Sequence, residues 1–174
     1  MITTAHGYIR STDPDDAAIL ARLYDPACPR AALLDLRREP VFPTVDEIRQ
    51  MLVRPPSKQG RFYTIEDKTG AVRGFCGIRG SNTEAAFGEV HALFLDPADY
   101  AGPQAGEVAD FLFERTFIRQ RLQRILAHAL ETETALAGFL RAHGFASCGV
   151  QREVLYTQGR WHNLETLARR AAGE

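Results

Sequence analysis

The segment from residue 60 to residue 130 constrains the fold most, because its hydrophobic period switches from two to that of a helix and back again. "GRFYTIED" and "AVRGFCGIRG" are short, rich in β-branched and aromatic residues, and separated by "DKTG", which reads as an antiparallel hairpin. "FGEVHALFLD" continues the meander as a third strand. The Gly- and Pro-rich turn "DPADYAGPQAG" then leads into a helix from about Gln104 to Arg121, whose apolar residues Val108, Phe111, Leu112, Ile118 and Leu122 form one stripe. "RILAHAL" returns to strand. Strand, helix and strand in succession predict a right-handed crossover, so a sheet that begins antiparallel must become mixed.

The flanks complete the order. A strand around Tyr8 to Arg10 precedes a helix start in which Asp13 can cap, Pro14 suits the first turn, and Asp15 and Asp16 complement the dipole. "RAALLDLRRE" reads as a short helix between prolines, and "TVDEIRQMLV" as another, capped by Thr44 and ended by Pro55 and Pro56. After "RILAHAL", "ETALAGFLRAHG" is a helix stopped by Gly144, and "VQREVLYTQGRWHNLETL" is two strands joined at "TQGR". No repeat or linker divides the chain, so one domain over residues 1–174 is expected. Its class is α/β, with a mixed, mostly antiparallel central sheet of about six or seven strands and helices on both faces.

Composition narrows the function. A net charge of −1 with 25% charged residues gives no footprint for nucleic acid. Cys28, Cys76 and Cys148 are widely spaced and odd in number, which argues against disulfides or a zinc site and for reduced core thiols, Cys148 included. The N-terminus lacks the pattern of a signal peptide, and no apolar run reaches the roughly 20 residues of a membrane span. A cytoplasmic protein without membrane contact is the expectation.

The element order and a set of specific residues resemble the GNAT superfamily of acyl-CoA-dependent N-acyltransferases, and within it the ribosomal-protein N-terminal, Rim-type, group. The C-terminal third carries the most specific part: Gly144, Phe145, Gly149, Arg152, Glu153, Gly159, Arg160 and Trp161 fall on the family's pattern, with Asn163 in place of the usual acid. "HALFLDP" is similar to the family's fourth strand, here carrying Leu93 and Leu95. The turn after that strand is where the family holds the CoA pyrophosphate on the backbone N–H groups of a helix N-terminus. The matching positions are Tyr100, Pro103 and Ala105; Tyr100 brings no cation and Pro103 no N–H, while a re-registered turn can present the amides of Ala101, Gly102, Gln104 and Ala105. The family's helical Asn falls on Glu133, and its frequent tyrosine acid on Leu140.

Amine acylation needs a base, donors that polarise the thioester carbonyl, and a proton for the leaving thiolate. The resemblance puts the base on the fourth strand, where Glu89 and His91 share a face. Tyr156 is the candidate to replace the missing acid. His128 reads as a core histidine, His143 as a dipole partner, and His6 and His162 share no ligand spacing with them, so no metal is expected. The resemblance therefore implies an N-acetyltransferase using acetyl-CoA by direct attack in a ternary complex. The acceptor would be a small-molecule amine or a peptide N-terminus, and by analogy the chain would form a homodimer through its terminal strands. The alternative is a catalytically degenerate module of the same fold that binds an acyl-CoA, another ligand or a protein partner without turnover.

Overall fold

The structure, a computed structural model, describes residues 1–25, 28, 30–34, 42–53 and 61–172. Its strands are β1 (Ile2–Thr3), β2 (Gly7–Ser11), β3 (Arg61–Asp67), β4 (Val72–Asn82), β5 (Phe87–Phe94), β6 (Arg124–Leu130), β7 (Ala146–Thr157) and β8 (Arg160–Arg170). They form one eight-stranded sheet in the order β1-β2-β3-β4-β5-β6-β8-β7. Every neighbouring pair is antiparallel except β5 and β6. The mixed sheet expected from the crossover is thus present, with one strand more than the six or seven anticipated. The extra one is β1, too short to carry a periodic signal.

Side-chain alternation on β4 and β5 divides the interior. Cys76, Ile78, Val90, Ala92 and Phe94 face the helices α4 (Pro103–Phe113) and α5 (Thr134–Ala142), where Val108, Leu112, Leu136 and Phe139 complete the larger core. Phe75 and Leu93 face the other way, against α1 (Ala17–Leu20) and α3 (Val45–Val53). Glu89 and His91, in phase with Leu93, belong to that second face.

The local signals act as expected at several ends. Asp13 caps the first helical turn in a capping box with Asp16, and Thr44 caps α3 through reciprocal bonds with Glu47. Gly144 stops α5 at φ +80°, and Gln158 and Gly159, both at positive φ, make the tight turn between β7 and β8. Residues 35–39 of the expected "RAALLDLRRE" helix lie outside the described residues, as do Pro55 and Pro56; Ala31–Leu34 of it form the short helix α2.

Two expectations are corrected. The helix predicted to Arg121 is α-helical through Phe113 and continues as a π-helical turn over Glu114–Arg119. The wider turn rotates later residues out of the α-helical phase. Ile118 is consequently 69% exposed, while Thr116 is buried and donates to the Leu112 carbonyl at 2.7 Å. Cys148 is exposed rather than buried, because β7 is the outermost strand and nothing covers Ala146–Glu153 among the described residues.

Asp16 does more than complement a dipole. Its buried carboxylate accepts from both terminal nitrogens of Arg10, from the Asp13 amide and from the Thr64 hydroxyl, tying the first helical turn to β2 and β3. Burial alone would raise its pKa; Arg10, the Asp13 amide and Thr64 outweigh that and hold it below the usual range. Its stabilising contribution is therefore complete above pH of about 4 and disappears as the pH falls through that range. Asp16→Asn should lower stability by about 3 kcal/mol at pH 7 in urea unfolding, and the gap between variant and wild type should narrow below pH of about 4.

Candidate active site

β5 and β6 pair through Phe87 with Arg124, Gly88 with Ile125 and Glu89 with Leu126. Beyond these the two strands run on, to Phe94 and Leu130, without pairing. They enclose a wedge lined by His91, Ala92, His128, Phe139, Leu140 and His143, among others.

At its apex Glu89 gathers charge. Its Oε1 accepts from Arg79 Nη2 at 2.6 Å and faces His91 Nε2 at 3.2 Å, while its Oε2 lies 3.8 Å from His128 Nε2. Burial would raise the carboxyl pKa, but His91, Arg79 and His128 outweigh it and bring it down to about 2. His91 is buried, and desolvation lowers its pKa below the ordinary value despite Glu89. At neutral pH the pair is accordingly a carboxylate beside a neutral imidazole. The two residues singled out in sequence are thus brought together in the wedge. His128, expected in the core, has its Nδ1 against the Thr166 hydroxyl at 3.1 Å and turns its other nitrogen toward Glu89.

A second ion pair closes one side. Arg30, 4% exposed, pairs through Nη2 with Glu133, donates from Nε to the same carboxylate at 2.7 Å and from Nη2 to the His128 carbonyl at 2.9 Å. Glu133 also accepts from the Leu130 amide at the start of α5. Arg79 donates in turn to the carbonyls of Leu33 and Leu34, so α2 is fastened to the wedge from both sides.

The turn expected to hold phosphate follows β5. It consists of a 3₁₀ segment, Pro97–Ala101, and of Gly102, from which α4 starts with Pro103. Asp96 caps the segment by accepting from the Ala98 amide. The Gly102 amide donates to the Asp99 carbonyl at 3.0 Å and the Ala105 amide to the Gly102 carbonyl at 3.1 Å. Gln104 reaches away to the Glu66 carbonyl at 2.6 Å.

Tyr100 points inward. Its hydroxyl donates to the Ala92 carbonyl at 3.0 Å and accepts from the Phe94 amide at 3.3 Å, on the β5 edge that β6 has left. Burial raises its pKa to about 12, so it stays a neutral phenol. Leu95 donates its amide to Arg73 of β4, and the Leu93 carbonyl lies against Gly74 of β4. The β5 edge that β6 has left therefore presents the Ala92 carbonyl and the Phe94 amide, and Leu93 is among the residues that line the wedge. Tyr156 is 57% exposed on β7 with its ring edge-on to Trp161 at 5.3 Å; it does not line the wedge.

Residues 9–164 match the model of the acetyltransferase (GNAT) domain, and the chain belongs to that family. No curated protein matches its sequence. Among solved structures, the Vibrio cholerae spermidine N-acetyltransferase in complex with CoA and spermine superposes with a TM-score of 0.79 at 15% identity, covering 96% of each chain. The spermidine/spermine N-acetyltransferase of the same organism with manganese ions gives 0.76 at 15% identity over 95% of this chain and 93% of that one. A dodecameric form in an intermediate state gives 0.75 at 14% identity over 96% and 95%. At such identity these establish the common fold. The Rim-type likeness is not among what the comparisons confirm.

The ion-pair roles of Arg30, Arg79 and Glu133 were not legible in the sequence: Arg30 and Glu133 are 103 residues apart, Glu133 stood out only as the position of the family's helical Asn, and no residue type or period marks Arg79 as the partner of Glu89. Removing one member of the buried pair isolates the other. Glu133→Ala should therefore destabilise the protein by about 3–5 kcal/mol in chemical denaturation, and Arg30→Met combined with it should recover much of that loss.

Proposed function

We propose that the chain transfers an acetyl group from acetyl-CoA to a primary amine by direct attack within a ternary complex. The single observation that carries this reading is the Glu89–His91 pair at the apex of the wedge: an ionised carboxylate 3.2 Å from a neutral, buried imidazole. The carboxylate favours the tautomer with the proton on Nε2, which leaves Nδ1 to take a proton from the acceptor ammonium. The freed amine adds to the thioester carbonyl, the tetrahedral intermediate releases its second amine proton to solvent and expels the CoA thiolate, and the amide remains. The thiolate then takes up a proton; Tyr156, exposed on the outer hairpin, is a candidate donor to be assayed beside the pair. The turn from Tyr100 through Ala101, Gly102, Gln104 and Ala105 receives the phosphates, with Leu93 and Leu95 at the strand end that leads to it.

For the acceptor, the structural relatives named for spermidine support a small polyamine-like amine. A peptide N-terminus, toward which the Rim-type hairpin motif inclines, is the competing acceptor, and an amine panel separates the two. Oligomers in the relatives support self-association, which would use β7, the sheet's outer edge. No described helix is long and apolar enough to cross a membrane.

Acetyl-CoA at 100 times its dissociation constant should stabilise the native state by about 2.7 kcal/mol, read as a saturable rise in melting temperature. Thiol release with an amine should follow. If neither occurs at millimolar acetyl-CoA, the degenerate, non-catalytic reading replaces this one. The rate against pH should fall on the acid side with an inflection below the ordinary histidine value, because His91 is depressed. His91→Ala should lose about 10²–10⁴-fold in kcat/KM together with that inflection; Glu89→Gln should move the inflection, and unchanged profiles in both variants would remove the pair from the mechanism.

A further inference from the structure

Resting on the acyl-CoA reading above, we propose that Tyr100 gates the donor channel: its hydroxyl holds the place on β5 that an amide of the donor's pantetheine arm must take, so the arm enters by displacing it. The path follows from connectivity. His91, Ala92, Phe94 and the turn before α4 succeed one another along β5 and its continuation, so an arm reaching from phosphate at α4 to a thioester at His91 runs along this edge. The edge presents the Ala92 carbonyl and the Phe94 amide to the wedge, one acceptor and one donor. A secondary amide complements that pair, and pantetheine carries two. A phenol hydroxyl complements it as well, with one O–H to give and lone pairs to receive.

The ring adds a steric barrier. It lies edge-on to Phe94 at 5.1 Å between centroids and tilted against Phe139 at 5.7 Å, joining β5 to α5 across the wedge. The void in the wedge, lined by Ala92 and Phe139, two residues that Tyr100 touches, among others, is about 20 Å³, room for about one water, so an arm enters only if side chains move. Displacement is mechanically simple, because Tyr100 sits on its own 3₁₀ segment between Asp96 and Gly102, ahead of α4. Arg73, bound to Asp99 at 2.6 Å, pins that segment in the closed position.

Titration calorimetry of wild type and Tyr100→Phe with CoA tests the gate. Phenylalanine keeps the ring but releases both backbone groups, so CoA should bind the variant at least about fivefold more tightly, and the Phe94 amide should exchange faster with solvent until CoA protects it again. If wild type binds CoA and the folded variant binds it equally or more weakly, the gate is wrong and the acyl-CoA reading stands. If neither binds millimolar CoA, both fall. The wild type supplies a test that needs no variant: saturating CoA should abolish the nuclear Overhauser contact between the Tyr100 and Phe139 rings, and its persistence would overturn the proposal.

Discussion

The parting of β5 from β6 after three residue pairs is the constraint on which the rest of the molecule depends. A parallel pair that separates inside a core leaves backbone groups without a ladder, and buried backbone groups need partners. Here side chains supply them. Tyr100 serves Ala92 and Phe94 on one edge, and Arg30 serves the His128 carbonyl on the other. The two come from different parts of the chain, so the post-β5 turn, α2 and α5 are all positioned by how the gap is filled.

The charges inside the gap are arranged in pairs whose members cannot be exchanged freely. Arg79 binds Glu89 and also the last carbonyls of α2, so a guanidinium that, with His91, helps keep the Glu89 carboxylate ionised also locates a helix beside it. Arg30 and Glu133 make a second such link between α2 and α5. Against this fixed background burial depresses His91 while Glu89 stays anionic, and two adjacent titratable groups acquire distinct states at one pH. That separation is what a base and its orienting partner require.

The extent to which the sequence revealed this follows from range. Short segments rich in β-branched and aromatic residues between turn signals made β2 to β8 legible, and the caps at Asp13, Thr44 and Gly144 were legible from their residue types. Glu89 and His91 were legible because strand parity alone places them on one face. The π-helical turn was not, since a stripe drawn at 3.6 residues continues through Ile118 whether or not the backbone widens. Arg30 and Glu133 are 103 residues apart in the chain, and nothing local marks them as partners. Tyr100 was legible as a position in the turn that lacks a cation, whereas its direction, a side chain turned into the core, comes from the geometry alone. Asn163, read as a departure from an acid, still links β8 to its surroundings by accepting from the Glu153 amide and donating to Glu131.

The turn before α4 bears on where donor affinity can arise. Its amides are partly committed to its own structure: Ala98 to the Asp96 carboxylate, Gly102 to the Asp99 carbonyl, Ala105 to the Gly102 carbonyl, while Pro103 has none. Asp96 and Asp99 add negative charge beside the turn, and Arg73 is neutralised by Asp99. A helix N-terminus still offers its dipole, but little directed hydrogen bonding remains for phosphate. On the acyl-CoA reading, recognition must then shift from the nucleotide end to the arm, which finds its complementary donor and acceptor at Phe94 and Ala92. The edge that Tyr100 covers would thus be the principal contact for the donor, and the loss of a phosphate cradle and the presence of an internal occupant become two sides of one arrangement.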